Sequence, residues 1–212
     1  EDIVADEVAE KKVDEFEDRV NKELNEVIGT LEKSWKREFG KKESNIGDWE
    51  CDVVREKCNT DIAFVNGAGI RKDLNAGPIT LRDMWEINPF NNTLVTFSVN
   101  GRTLRTMMEV QAGISARDFM QISGITFEFD ESQSPGEKVI ELLVNGIDVD
   151  DKKTYSIATN NYIANHLKDF FGIDDPSILL NDTGIVDRET FIEKIRSVKT
   201  ISSSKDGRIV SK

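Results

Sequence analysis

Between residues 61 and 162 the chain repeatedly sets apolar runs of strand length between turn-forming residues, and this pattern limits the fold more than any other feature. "TDIAFVN" (60–66), "GITFEFD" (124–130), "KVIELLVNGIDVD" (138–150) and "TYSIATNN" (154–161) read as strands. "NTLVTFSVNGRTLRTMMEVQAG" starts with alternating apolar residues, carries an Asn-Gly turn signal and then changes to a helical period. "PITLRDMWEINPF" reads as a turn, a short helix and an extended piece. Helices are expected over about 46–58 and in "DRETFIEKIRSV" (187–198), with Asp187 as N-cap. Strands clustered with helices among and around them predict an α+β fold with a mixed sheet.

Ahead of this region, apolar residues recur mostly every three or four positions from Ile3 to Trp35, including Val13, Phe16, Val27, Ile28 and Leu31. Residues 2–39 therefore read as one long amphipathic helix, interrupted at Gly29. It is either an ordinary packing helix or a connector whose stripe packs partly against a domain outside this chain. The tail "SSSKDGRIV" is polar apart from its last residues.

The 212 residues carry 28 basic and 40 acidic side chains, a net charge of −12. Such a surface repels polynucleotide backbones, so nucleic acid is not an expected partner. A small anion is different, because one arginine can hold it whatever the global charge. No apolar run is long enough to span a membrane. The start, "EDIVADEVAEKK", is not a signal peptide as given, although it could be the middle of a longer precursor. Cys51 and Cys58 fall seven apart on one expected helix, too far for a disulfide, and read as free thiols.

No catalytic or metal-ligating set is expected. His166 is the single histidine and reads as a solvated loop residue, and neither GxSxG nor HExxH occurs. A dinuclear metal hydrolase needs several His and Asp ligands that this chain does not offer. "NGAGIR" (66–71) partly fits a dinucleotide-binding glycine fingerprint, but its third glycine position holds Lys72.

Taken in order, "ESNIGD" (43–48), "DIAFVNGAGIR" (61–71), "GPIT" (77–80), "NPFNNTLVTFSVNGRTL" (88–104), "DFMQISGITFEFD" (118–130), "PGEKVIELLVNG" (135–146) and "TYSIATNNYIAN" (154–165) form a series. That series closely resembles the C-terminal domain of the 5'-nucleotidase family, whose usual forms are ESNLGN, NGGGIR, PFGN, FLQVSG and TNDFLAxGGDGY. The resemblance implies a layered α/β/β/α domain over 41–212, preceded by an interdomain connector helix over 1–40. It also implies a partner: an N-terminal metallophosphoesterase domain, absent from this chain, that holds two divalent metals. This chain would bind the nucleotide and carry no cofactor itself. Family members suggest a periplasmic, extracellular or cell-surface location.

Residue by residue, the resemblance gives Asn66 and Arg71 the polar and phosphate role, on a substrate-binding turn that Gly67 and Gly69 make tight. Phe90 and Tyr162 become two faces that sandwich the base, with Asn92 a base contact. Three departures stand out. Ala68 replaces the middle glycine, and the arginine that many members carry before ESN is missing. GGDG is also missing: its ribose-binding acid falls on Lys168 without a gap, or on Asp169 with one inserted residue. The main reading is thus a substrate-specificity domain of a metal-dependent 5'-nucleotidase-like phosphohydrolase. The alternative is a non-catalytic interaction domain that kept the fold and lost the site.

Overall fold

The computed structural model describes residues 7–38 and 40–212. In chain order the elements are α1 (Glu7–Leu24), β1 (Val27–Leu31), α2 (Asn45–Cys58), β2 (Ile62–Asn66), a 3-10 turn (Gly67–Gly69), β3 (Gly77–Thr80), α3 (Leu81–Ile87), β4 (Thr93–Asn100) and α4 (Gly101–Gly113). There follow β5 (Met120–Ser123), β6 (Ile125–Phe129), β7 (Val139–Val144), β8 (Ile147–Asp148), β9 (Thr154–Asn160), α5 (Asn161–Ala164) and α6 (Leu167–Phe171). The chain ends with β10 (Asn181–Val186), α7 (Asp187–Val198), β11 (Thr200–Ile201) and β12 (Ile209–Ser211).

These strands form three mixed sheets, with orders β11-β1-β3, β10-β4-β9-β2-β5 and β12-β6-β7-β8. The five-stranded sheet is central because β2 is apolar on both faces. Ile62 and Phe64 face a core shared with α4, α6, β6 and β7. Ala63 and Val65 face a second core built from α2, α7 and the three-stranded sheet. Side chains alternate across a strand, so an unbroken "IAFV" run is what a sheet buried on both sides requires. The fold is α+β, as expected.

The segment after α1 departs from the expected single helix. Val27–Leu31 is a strand, antiparallel to β3 and parallel to β11. Spacings of one, three and four among Val27, Ile28, Leu31 and Trp35 suit a helix, but β-branched residues at 27, 28 and 30 favour the pleat. Gly29 is not a helix break. A side chain there would meet Ile195 Cγ2 at 2.5 Å, so the glycine lets β1 lie directly on α7. Trp35 is fully buried, its ring centroid 4.7 Å from that of Trp49, and its Nε1 donates to Ser203 Oγ at 2.8 Å. Along α1, by contrast, Val13 and Phe16 are exposed.

Two turn signals also resolve differently. Asn100-Gly101 is not a hairpin turn; Asn100 caps α4, its Oδ1 accepting from Thr103 N at 2.9 Å. Asparagine serves both roles, and here the following helical period decides. Within the segment read as one strand, Asn145 and Gly146 have φ of 51° and 77° and turn β7 back into β8. Cys51 and Cys58 are free thiols on α2, the first buried.

Candidate functional site

The end of β2 carries the first side chains of the site. Asn66 Oδ1 accepts from Asn160 Nδ2 at 3.2 Å, which ties the ends of β2 and β9 together. Neither Gly67, Ala68 nor Gly69 has a positive φ, so alanine fits the middle position without strain. The glycine demand lies at Gly69, where a side chain would press on the Asn66 amide at 3.0 Å. Ile70 is buried and anchors the turn. Arg71 follows, held by its N–H to Ile87 O (2.8 Å) and by Nη1 to Ala68 O (3.1 Å), with no carboxylate within ion-pair distance among the described residues.

Phe90 and Asn92 sit on the loop between α3 and β4. A capping box between Thr80 and Asp83 starts α3, and Asn88 ends it. The loop is then clamped by Arg188, which is 2% exposed. Its Nη1 donates to Asn88 O (3.1 Å) and Phe90 O (2.8 Å), and its Nη2 to Asn91 Oδ1 (2.8 Å). The guanidinium also lies 3.5 Å from the Trp85 ring centroid. Asp187 is not the N-cap expected for α7; Val186 occupies that position, and Asp187 N donates to Asn92 O at 2.9 Å. With its backbone pinned, the Phe90 ring remains 41% exposed.

Tyr162 stands on α5, which Asn160 caps by accepting from Ile163 N at 2.9 Å. Its ring is 48% exposed and leans on His166 (centroids 4.9 Å) and the edge of Phe170 (5.8 Å). His166 is thus a support for the aromatic face, its Nδ1 2.7 Å from Tyr162 O.

Asn66, Gly69, Arg71, Phe90, Asn92 and Tyr162 line one cavity of about 260 Å³, together with Ala68, Arg117, Asp118 and Phe170. Gly67 and Asp169 are not on its wall. Gly67 instead starts the turn, its N–H donating to Phe119 O at 3.4 Å. Asp169, expected as the ribose acid, stands apart from the cavity for a packing reason. On α6, Leu167, Phe170 and Phe171 turn inward, which sends Lys168 and Asp169 to solvent. Lys168 pairs there with Asp174 at 2.6 Å. The cavity's own carboxylate is Asp118, and its second guanidinium Arg117; neither stands out in the sequence, because both lie in a short loop with no periodicity.

Behind this wall, Glu50 and Asp187 share a small chamber with Asn66, Asn92 and Phe90. Burial, reinforced by the Asp187 charge, pushes the Glu50 carboxyl well above its ordinary value. Burial also raises Asp187 to about 6, against the hydrogen bonds from Asn88 and Arg188 that favour its charge. A wider groove of about 670 Å³ runs past Thr96–Asn100 and Leu179, but no cationic side chain lines it. Glu43, Asp48 and Asp206 bring carboxylate oxygens within 4.8 Å of one another. That trio does not suit a metal: Arg208 lies 3.7 Å from Asp48 and 2.5 Å from Asp206, and Glu43 accepts from the N–H groups of Asp206 and Gly207.

Comparison with known proteins matches residues 27–173 to the family described as "5'-nucleotidase, C-terminal domain". The trifunctional nucleotide phosphoesterase protein YfkN of Bacillus subtilis is 30% identical over 221 residues, covering 95% of this chain and 15% of that protein. A 5'-nucleotidase of Diplobatis ommata is 28% identical over 98% of this chain and 41% of its own length. The crystal structure of the 5'-nucleotidase precursor from Thermus thermophilus superposes with a TM-score of 0.84 at 28% identity, covering 96% of this chain and 43% of that one. The chain therefore spans less than half the length of each of these relatives. No described helix is long and apolar enough to cross a membrane.

Proposed function

Because this chain belongs to the 5'-nucleotidase C-terminal domain family, we propose that it is the substrate-specificity part of a nucleotide phosphohydrolase. It binds base and phosphate and presents them to a separate metallophosphoesterase domain. The observation that carries this reading is that Phe90, Tyr162 and Arg71 line a single cavity. Two exposed aromatic rings offer π-faces to a base. Arg71 offers a planar fork to phosphate oxygens and is free of any competing carboxylate among the described residues. The Asn66 and Asn92 amides supply donors and acceptors at the edges.

In this account hydrolysis and its two divalent metals belong to the partner domain, since the carboxylate cluster among the described residues of this chain does not suit a dinuclear centre. The contribution of this chain is to hold the substrate in a reactive pose, which lowers a barrier without touching the scissile bond. A location outside the cytoplasm rests on the resemblance alone. An interaction domain that has lost the site is the second reading, favoured by the outward position of Asp169.

The test compares AMP with adenosine on the protein and on Arg71→Ala. The variant should weaken AMP by about 1.5–3 kcal/mol and leave adenosine nearly unchanged. Equal losses for both ligands would make Arg71 structural and favour the second reading.

A further inference from the structure

We propose that Arg117 and Asp118 form a second polar wall of this cavity and make it selective for a 5'-ribonucleotide. Asp118 accepts from the ribose hydroxyls, and Arg117 joins Arg71 on the phosphate. The inference rests on the nucleotide reading above and names the substrate class of the same site.

Both residues line the cavity from the loop between α4 and β5, and Asp118 is the sole carboxylate among the lining residues. The loop is anchored at both ends of this pair. On one side Ser115 Oγ donates to Asp118 Oδ2 at 2.7 Å, and Asp118 N donates to Ser115 O at 3.0 Å. On the other, Phe119 is buried with its ring centroid 5.8 Å from that of Phe129. The Phe119 carbonyl takes the Gly67 N–H at 3.4 Å, so the loop is also tied to the turn that carries Arg71. The Arg117 and Asp118 side chains are thus presented on a braced support.

Arg117 is unspent, and Asp118 keeps its second oxygen, Oδ1, free of hydrogen bonds among the described residues. Arg117 has no hydrogen bond or ion pair among the described residues, and Asp118 forms no ion pair with Arg117 or Arg71. A carboxylate accepts only, and a guanidinium donates only. One wall therefore asks for paired O–H donors and the other for an anion, with aromatic faces beside both. Inorganic phosphate answers only the guanidinium groups, and a nucleoside only the carboxylate and the rings. A ribonucleotide answers all three, and its vicinal diol gives Asp118 two donors where a deoxyribose gives one. A site built to bond a hydroxyl discriminates against the analogue that lacks it.

The experiment titrates the 212-residue chain with AMP, adenosine, 2',3'-dideoxyadenosine and inorganic phosphate, followed by amide NMR shifts. Arg117→Ala should weaken AMP by roughly ten-fold and leave adenosine within about two-fold. Asp118→Asn keeps the side-chain size, and should weaken adenosine several-fold while leaving the dideoxy analogue unchanged. Melting temperatures should not move, since both side chains are solvent-accessible. If both variants bind AMP like the parent while Arg71→Ala loses it, this inference fails and the nucleotide reading stands. If the parent chain shows no saturable response to AMP, both fall together.

Discussion

The Arg188 guanidinium donates to the Phe90 carbonyl at 2.8 Å while lying 3.5 Å from the Trp85 ring centroid. A buried arginine at the start of α7 thus sets the position of an exposed aromatic on a loop nearly a hundred residues earlier. Arginine suits the task because its fork reaches several acceptors at once, whereas lysine offers a point charge. Arg188→Lys should leave at least one buried carbonyl unpaired, costing about 1–3 kcal/mol. For a chain of this size, each kcal/mol lowers the melting temperature by about 2–4 °C. Adenosine affinity should fall with it, while phosphate affinity should not. A variant that melts lower but binds adenosine unchanged would limit Arg188 to stability.

The position of β1 bears on where the connector ends. We propose that α1 is the connector and that the substrate domain begins with β1. Truncation before residue 26 should leave a cooperatively melting protein, because Val13 and Phe16 are exposed and contribute little to the cores. Truncation before residue 39 removes Ile28, Leu31 and Trp35, all buried. It should yield a protein with no sharp thermal transition, given that burying each such side chain is worth about 1.5–3 kcal/mol. Equal cooperativity of the two truncations would return the boundary to residue 40.

Buried acids make stability depend on pH. Burial first, then a hydrogen bond with Glu43, raises Asp48 to about 9, with Arg208 opposing. Burial raises Asp187 to about 6. A carboxyl whose folded value is raised holds its proton more tightly when folded, so its relative stability is greatest below the ordinary carboxylate range. That stability is lost as pH rises through about 4–6 for Asp187 and on towards about 9 for Asp48. Asp48→Asn removes the second part. Its melting temperature should exceed the parent's at pH 8 by about 2–4 °C per kcal/mol relieved, with a smaller difference at pH 5. A gain of the same size at both pH values would rule out titration of Asp48 as the cause.

Much of this was legible in the chain because it depends on local signals in a fixed order. The Asn66–Arg71 turn, Phe90 with Asn92, and Tyr162 each follow a strand or short helix, and all three segments converge on one cavity. Three features were not legible. Val27, Ile28 and Leu31 carry a spacing that fits a helix as well as a strand, and only pairing with β3 and β11 decides between them. Arg188 looks like an ordinary first-turn arginine until the α3–β4 loop folds over it. Asp169 falls at the acid's position when counted along the motif, but the inward packing of Phe170 and Phe171 turns it towards solvent. In each case a long-range packing contact overrides a local pattern.

The most direct test of the central claim is a crystal structure of the chain grown with AMP. The account predicts the adenine between the Phe90 and Tyr162 rings, with centroids of the two rings about 7 Å apart, twice a stacking separation of about 3.5 Å. It also predicts the phosphate within hydrogen-bond distance of the Arg71 guanidinium. A nucleotide bound elsewhere, for example in the groove beside Thr96 and Leu179, or a base that leaves either ring in solvent, would contradict it.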